Sequence, residues 1–340
     1  MRAVTMEQGV LTPVDLPDPI PEKGEVIVRT LACGICGSDL HAARHFDDFV
    51  RTSRESGGAF KLTTFNPVVL GHEFCAEIVD YGPHTEHSLP VGARVCSIPM
   101  LRRTPPVPIG YSEAAPGGFA EYMLLSESLI SPVPGGLNAD LAALTEPMAV
   151  GYHAVNKANL RGSEATLVIG CGPVGLAVII ALKQRGIAPI VAADYSSKRR
   201  ELAIKVGADV VFDPEDKSAY TYAPLTKPQD VVYFECVGVP GMLDEIFVGA
   251  PKNARIVVVG ICISMDHSRP LIAVNKELSV QYVLGYTEEE FVQSLHHISS
   301  GEFDVSQLVT DETGFDGLAN AFKVLANPEQ QGKILVKPEL

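Results

Sequence analysis

The hydrophobic pattern divides the chain into two textures. Up to about residue 130, short apolar runs alternate with Gly and Pro: "GEVIVRTLAC", "NPVVLGHEFCAEIVDYG", "VGARVCSI" and "GGFAEYMLL". Such runs predict a compact antiparallel barrel or sandwich. From about residue 162, strands alternate with helices. "ATLVIG" leads into "VGLAVIIALKQRG" and "PIVAAD" into "SSKRRELAIKVG", followed by "ADVVFD", "QDVVYFECVG", "ARIVVVG" and "LSVQYVLG". Val/Ile-rich runs without polar alternation predict parallel strands buried on both faces. Six of them fit a doubly wound dinucleotide-binding sheet, so the expected class is α/β. The tail, "TEEEFVQSLHHISSGEF" and "FDGLANAFKVLANPEQQGKILVKP", reads as two helices and a final strand returning to the first domain. The Pro/Gly-rich "RRTPPVPIGYSEAAPGG" reads as a surface loop.

A chain of 340 residues is too long for one ordinary core and implies two domains. Its net charge of −14 argues against nucleic acid as a partner, because phosphate binding needs a basic face. The N-terminal stretch lacks a signal-peptide apolar core, so a cytoplasmic enzyme is expected. "ATLVIGCGPVGLAVIIAL" is long enough to invite a transmembrane reading. Its glycines and proline belong to a turn instead, and no membrane partner is expected. Seven cysteines, odd in number and scattered, do not form a disulfide framework. Most are expected to be buried as small apolar side chains.

"VIGCGPVG" places Gly170, Gly172 and Gly175 in G-x-G-x-x-G spacing, with Pro173 and Val174 opening the following helix. The pattern alone is weak, but here it joins an apolar β-run to an apolar helix. Gly170 allows the tight turn, Gly172 admits a pyrophosphate, and Gly175 lets helix and strand pack closely. Asp194 follows Gly175 by 19 residues, where an acid accepts hydrogen bonds from ribose hydroxyls and favours NAD over NADP. Arg199 joins the candidate cofactor contacts, although Lys198, Arg199 and Arg200 by default read as a solvated helix face.

"LACGICGSDLHAARH" carries Cys33 and Cys36 in C-x-x-C spacing. Alone it fits a redox dithiol, half of a metal site, or a glycine-softened loop. Two fragments stand beside it: "VLGHEFCAEIV" with His72 and Glu73, and "ALTEPMAVGYHAV" with Glu146. A catalytic zinc needs three N, S or O ligands and one open position, and Cys36, His72 and Glu146 would supply one of each. The plainer readings are a buried His bonded to a backbone carbonyl and a Glu that starts a helix before Pro147.

These fragments, with "GARV", "GGFAEY", "GCGPVG" and the closing "GKILVKP", resemble the zinc-dependent alcohol and polyol dehydrogenases of the medium-chain dehydrogenase/reductase superfamily. The resemblance runs nearly end to end. It implies a GroES-like β-barrel catalytic domain (1–150 and 285–340) and a Rossmann NAD-binding domain (151–284), with residues 278–284 as its last strand. It matches Cys36 and His72 to the first two zinc ligands and gives Glu146 the position where polyol-type members carry a carboxylate. Glu73 becomes an alternating carboxylate beside the metal, and Asp39 orients His72. Cys33 matches no ligand position. The implied reaction is hydride transfer between a secondary alcohol or polyol and NAD. Zinc polarises the hydroxyl, and a proton leaves through Ser38, the cofactor ribose and His41. The alternatives are a zinc-free quinone or enoyl reductase of the same superfamily and a non-catalytic dinucleotide-binding protein. A small-molecule alcohol or ketone and a second copy of the chain, as homodimer or homotetramer, are the implied partners.

Two features depart from the pattern. No cysteine lies between Cys96 and Cys171, so a four-cysteine structural site cannot be assembled and one zinc per chain is expected. Cys36 and His72 are 36 positions apart, longer than usual, with the extra material in "FDDFVRTSRESGGAF". Phe46 and Phe49 of this insertion are candidate lid residues over the substrate cleft; the plainer reading is a solvated insertion.

Overall fold

A computed structural model describes residues 1–340 except 58–59, 61, 63–65, 228–229 and 328–331. The first half of the chain builds a seven-stranded sheet around the long strand Glu25–Gly34. This strand pairs antiparallel with Glu73–Tyr81 over most of its length and with Tyr122–Ser126 over its first half. Register shifts at Ile27/Val28 and Thr30/Ala32 bend it. Its last residues pair with Lys333–Val336, Leu335 opposite Gly34 and Val336 opposite Cys33. The final strand therefore returns to the first domain, as the tail suggested. It also pairs parallel with Val309–Thr313, a strand whose polar sequence hid it.

The second half forms a six-stranded parallel sheet. Its order is Val210–Phe212, Ile190–Ala193, Ala165–Ile169, Val231–Glu235, Arg255–Val258 and Ser279–Tyr282. Ala165–Ile169 and Val231–Glu235 are buried at every residue, which explains why they lack polar alternation. Val168 packs into one core with Ile179 and Ile180, while Leu167 and Ile169 pack into the opposite one with Ile246. The chain reverses its direction of winding between Ala165–Ile169 and Val231–Glu235, and ligands bind beyond strand ends at such a switch point. The run once open to a transmembrane reading is a strand, a turn and the helix Pro173–Gln184. Among the described residues no helix is long and apolar enough to cross a membrane.

The helix Thr145–Lys157 links the two sheets. It packs against Pro173–Gln184 and continues through residue 150, so Glu146 in its first turn is fixed by the second sheet. Cys33, Cys75, Cys96 and Cys171 are buried, the other three half-buried, and all seven are free.

Two expectations need correction. The segment read as a surface loop is largely internal. Met100–Leu101 and Val107–Pro108 form a small hairpin, and Leu101, Ile109 and Tyr111 are buried. The cause is close backbone packing. An added Cβ at Gly117 would lie 2.2 Å from Gly71 O, and Gly71 itself has φ +99°. The insertion is likewise not a solvated loop. Residues Phe46–Ser56 form a helix that buries Phe49, Val50 and Ser53, a helical spacing visible in the sequence. Phe49 packs under Phe60 and Tyr111 rather than covering the cleft, and Phe46 is half-buried against the same core. Residues 58–59 of the insertion lie outside the described residues.

Candidate active site

Residues of both halves line one cleft of about 560 Å³. On the parallel-sheet side, the strand Ala165–Ile169 ends in Gly170 (φ +90°), and Gly172 caps the helix that Pro173 opens. A Cβ at Gly175 would sit 1.9 Å from Gly170 O, so turn and helix touch only because that position is glycine. Asp194 accepts from Cys171 N–H (2.7 Å) and Ser196 N–H (2.8 Å), fastening the glycine turn to the end of the neighbouring strand. Gly172, Pro173, Val174 and Arg199 all face the cleft. Lys198 is exposed, but Arg199 and Arg200 are not the solvated face expected of them. Arg200 donates to the carbonyls of Asp194 and Tyr195 and pairs with Asp213 at 2.8 Å. Arg199 lies 3.9 Å from Asp194, and its buried Nε has no partner among the described residues. A helix N-terminus, a glycine turn and a guanidinium whose Nε is unsatisfied together fit a dinucleotide pyrophosphate.

On the barrel side, Cys36 opens the helix Gly37–Arg44, and its N–H donates to Asp39 Oδ2 at 3.0 Å. His72 precedes the strand Glu73–Tyr81. One ligand atom each of Cys36, His72 and Glu73 lie within 4.8 Å of one another, a thiol, imidazole and carboxylate set that suits zinc. Glu146 lines the same cleft but falls outside this set, so the third donor closest to hand is Glu73. The reason is local. Glu146 lies in the first turn of the helix Thr145–Lys157 and is hydrogen-bonded by Tyr286, whereas Glu73 adjoins His72 in sequence. Glu73 is itself clamped: buried Lys333 donates to both its oxygens (2.8 and 2.6 Å) and to Ile35 O (3.1 Å).

Residues 22–135 match the family described as "Alcohol dehydrogenase GroES-like domain", and residues 173–300 match "Zinc-binding dehydrogenase". The (R,R)-butanediol dehydrogenase of Bacillus subtilis is 33% identical over 336 residues, 95% of each chain. The chain belongs to the zinc-type alcohol and polyol dehydrogenases of the medium-chain dehydrogenase/reductase superfamily. A bovine sorbitol dehydrogenase is 28% identical over 90% of this chain and 87% of its own. The crystal structure of 2R,3R-butanediol dehydrogenase from Bacillus subtilis superposes with a TM-score of 0.84, covering 99% of both chains at 30% identity. The protein is thus an oxidoreductase acting on a small-molecule alcohol, with the GroES-like and Rossmann units that the resemblance implied. The zinc-free reductase and the non-catalytic alternative are not favoured.

In the dehydrogenase the electrostatics of the site oppose free anions. Burial and nearby Glu73 push the Cys36 thiol up, against the lowering pull of His72. A bound cation would reverse this and expose a thiolate donor. Burial would lower the His72 imidazole, but Asp39 and Cys36 outweigh it and hold the pKa well above the ordinary value. Asp39 Oδ1 is 3.4 Å from His72 Nδ1, a long electrostatic contact, because Nδ1 has no hydrogen bond of good geometry. Ser38 receives a hydrogen bond from Tyr111 Oη at 2.8 Å, and that hydroxyl also lies 3.1 Å from Asp39 Oδ1. His41, one helical turn beyond Ser38, also lines the cleft; burial, then His45 and Arg44, lower its pKa. Tyr111, Tyr286 and Lys333 are site residues that the sequence reading missed.

Burial raises the Glu146 carboxyl to about 7, with Glu73 adding to the rise and His72 opposing it. The native state therefore keeps a proton that the unfolded chain releases near pH 4.5. Stability from this group is complete below that pH and declines as pH rises to about 7, by on the order of 3 kcal/mol. Glu146→Gln cannot ionise. In chelator-treated protein its thermal stability should match wild type near pH 4.5 and exceed it above pH 7. Parallel melting-temperature profiles for the two proteins would contradict this.

Proposed function

We propose that the enzyme oxidises a secondary-alcohol or polyol-type hydroxyl to a carbonyl, with NAD as hydride acceptor and one zinc ion per chain. The observation that carries this reading is the meeting of Cys36, His72 and Glu73 in a cleft shared with Gly172 and Arg199. Cys36 and His72 would hold the metal with a carboxylate, Glu73 being nearer and Glu146 in reserve. Zinc bound there supplies a Lewis acid for the substrate hydroxyl oxygen. Bound NAD supplies the acceptor for the hydride.

The remaining work falls to the chain itself. Ser38 Oγ, fixed by the Tyr111 hydroxyl, accepts the departing hydroxyl proton as it releases its own onward. His41 is kept neutral by its lowered pKa and receives the proton on the way to solvent. Lys333 holds Glu73 and, through Ile35 O, the turn that carries Cys36. The Asp194 carboxylate supports NAD over NADP. The unpaired Arg199 Nε favours the second reading, NADP. Residues 1–150 with 285–340 act as the catalytic unit and 151–284 as the cofactor unit of a cytoplasmic enzyme.

A homo-oligomer is supported by the edge strand Ser279–Tyr282, exposed at every residue and flanked by exposed Leu271, Val274 and Leu284. A monomer mass in light scattering would overturn that part. The butanediol and sorbitol dehydrogenases among its relatives point to vicinal diols and polyols as first assays. With such alcohols the enzyme should generate NADH. Activity should disappear on chelation, return with zinc, and run at least about tenfold better in kcat/KM with NAD than with NADP. No reduced cofactor from any alcohol in the zinc-restored enzyme would refute the proposal.

A further inference from the structure

The walls of the cleft differ in chemistry on its barrel side. Below the rim, Phe60, Ile98, Met100, Pro108 and Ile109 present only carbon or sulfur. Four of them come from the hairpin segment that follows the strand Arg94–Ser97, and Phe60 comes from the insertion. The hydroxyls nearby are already committed. Tyr111 Oη donates to Ser38 Oγ at 2.8 Å, and Tyr286 is hydrogen-bonded to Glu146. The wall is also backed firmly. Phe49 of the inserted helix, 3% exposed, packs 4.9 Å from the Phe60 ring and 6.1 Å from Tyr111, while Phe60 and Tyr111 meet edge to face at 4.6 Å. These aromatic contacts hold the Phe60 ring in place on the cleft wall.

We propose that this wall makes the substrate subsite an apolar slot for short secondary alcohols and vicinal diols with hydrocarbon ends, and that it disfavours linear polyols. The inference rests on the reading of the cleft as an alcohol dehydrogenase site. A polyol carries a hydroxyl on every carbon. Seated with one carbon at the metal-ligand cluster, it turns its terminal hydroxyls onto Ile98, Met100 and Ile109, which offer neither donor nor acceptor. Each stranded hydroxyl costs about a factor of ten in kcat/KM. Met100 and Ile98 are the specificity-determining positions, being half-buried at the cleft and free of any role in the metal or cofactor contacts.

The test uses the zinc-loaded enzyme with saturating NAD and one carbon skeleton, so that size does not vary. The substrates are butan-2-ol, butane-2,3-diol and butane-1,2,3,4-tetraol, each in all stereoisomers. The best diol should exceed the best tetraol by about 100-fold in kcat/KM, the factor expected for two stranded hydroxyls. Met100→Gln and Ile98→Asn should each raise the tetraol relative to the diol by about tenfold. NAD affinity, followed by fluorescence titration, should stay unchanged in both and so certify that they fold. A tetraol within threefold of the diol in the wild type would overturn the proposal. So would an unchanged ratio in two variants that bind NAD normally. Oxidation of none of the three alcohols by enzyme that binds zinc and NAD would defeat the dehydrogenase reading itself, and the slot with it.

Discussion

Cys36→Ser should reduce kcat/KM for alcohol oxidation by at least about a thousandfold, the loss expected when several kcal/mol of metal-supplied charge stabilisation disappear. Serine keeps the shape of the side chain but not a donor that deprotonates readily to bind zinc. Asp39 would still receive the residue-36 N–H, because that hydrogen bond comes from the backbone. The helix Gly37–Arg44 should therefore keep its start, and Ser38 and His41 their places on the cleft. The variant should melt near the temperature of chelated wild type and still bind NAD, since Gly172 and Arg199 belong to helices of the parallel-sheet half. Undiminished turnover in metal-free Cys36→Ser would remove zinc from the reaction.

The second large effect concerns stability. Lys333→Met should cost about 3–5 kcal/mol, because it strands the Glu73 carboxylate, 1% exposed, without its cation. Burial would depress the lysine, but the Glu73 carboxylate and the Cys36 thiol outweigh it and hold Lys333 protonated. The lysine charge is therefore present across the working pH range. Removing the second charge should repair most of the damage. Lys333→Met combined with Glu73→Gln is expected to recover more than half of the loss, since a matched neutral pair leaves no buried ion. Equilibrium urea unfolding of the chelated proteins would measure both. A double variant no more stable than Lys333→Met would show that the lysine acts through something other than Glu73.

Those two residues mark how far the sequence could be read. Cys36, His72 and the glycine turn were legible because each sits in a short motif whose backbone context is local. Gly170, Gly172 and Gly175 adjoin one strand and one helix, and Cys36 and Asp39 share a helix start. Lys333 was not legible. Its partner is 260 positions away, and nothing in "GKILVKP" says that the lysine is buried. Tyr111 was lost for a related reason. Pro and Gly signal turns but carry no information about depth, and here glycines at 71 and 117 let that segment press inward. Arg199 and Arg200 read as a solvated run because a charge run usually is one, yet carbonyls and Asp213 were waiting for Arg200. The insertion could have been read better, since Phe49, Val50 and Ser53 already followed a helical period. The strand Ser279–Tyr282 was legible as the apolar run "LSVQYVLG", but not its depth: at the sheet edge it is exposed at every residue instead of buried on both faces.

Two carboxylates are candidates for the third donor. Sequence reasoning set Glu146 beside Cys36 and His72, while the folded chain brings Glu73 closest and leaves Glu146 protonated up to about pH 7 in the absence of metal. The two carboxylates on the cleft are held differently: Glu73 is clamped by Lys333, and Glu146 is bonded to Tyr286.

The central claim, that a single metal ion is held through the Cys36 thiolate, is tested most directly by cobalt substitution. Stoichiometric Co²⁺ added to the chelated enzyme should bind one equivalent per chain and produce a near-ultraviolet thiolate-to-cobalt charge-transfer band that is absent in Cys36→Ser. A second tight equivalent, or a band of equal strength in the variant, would contradict the account.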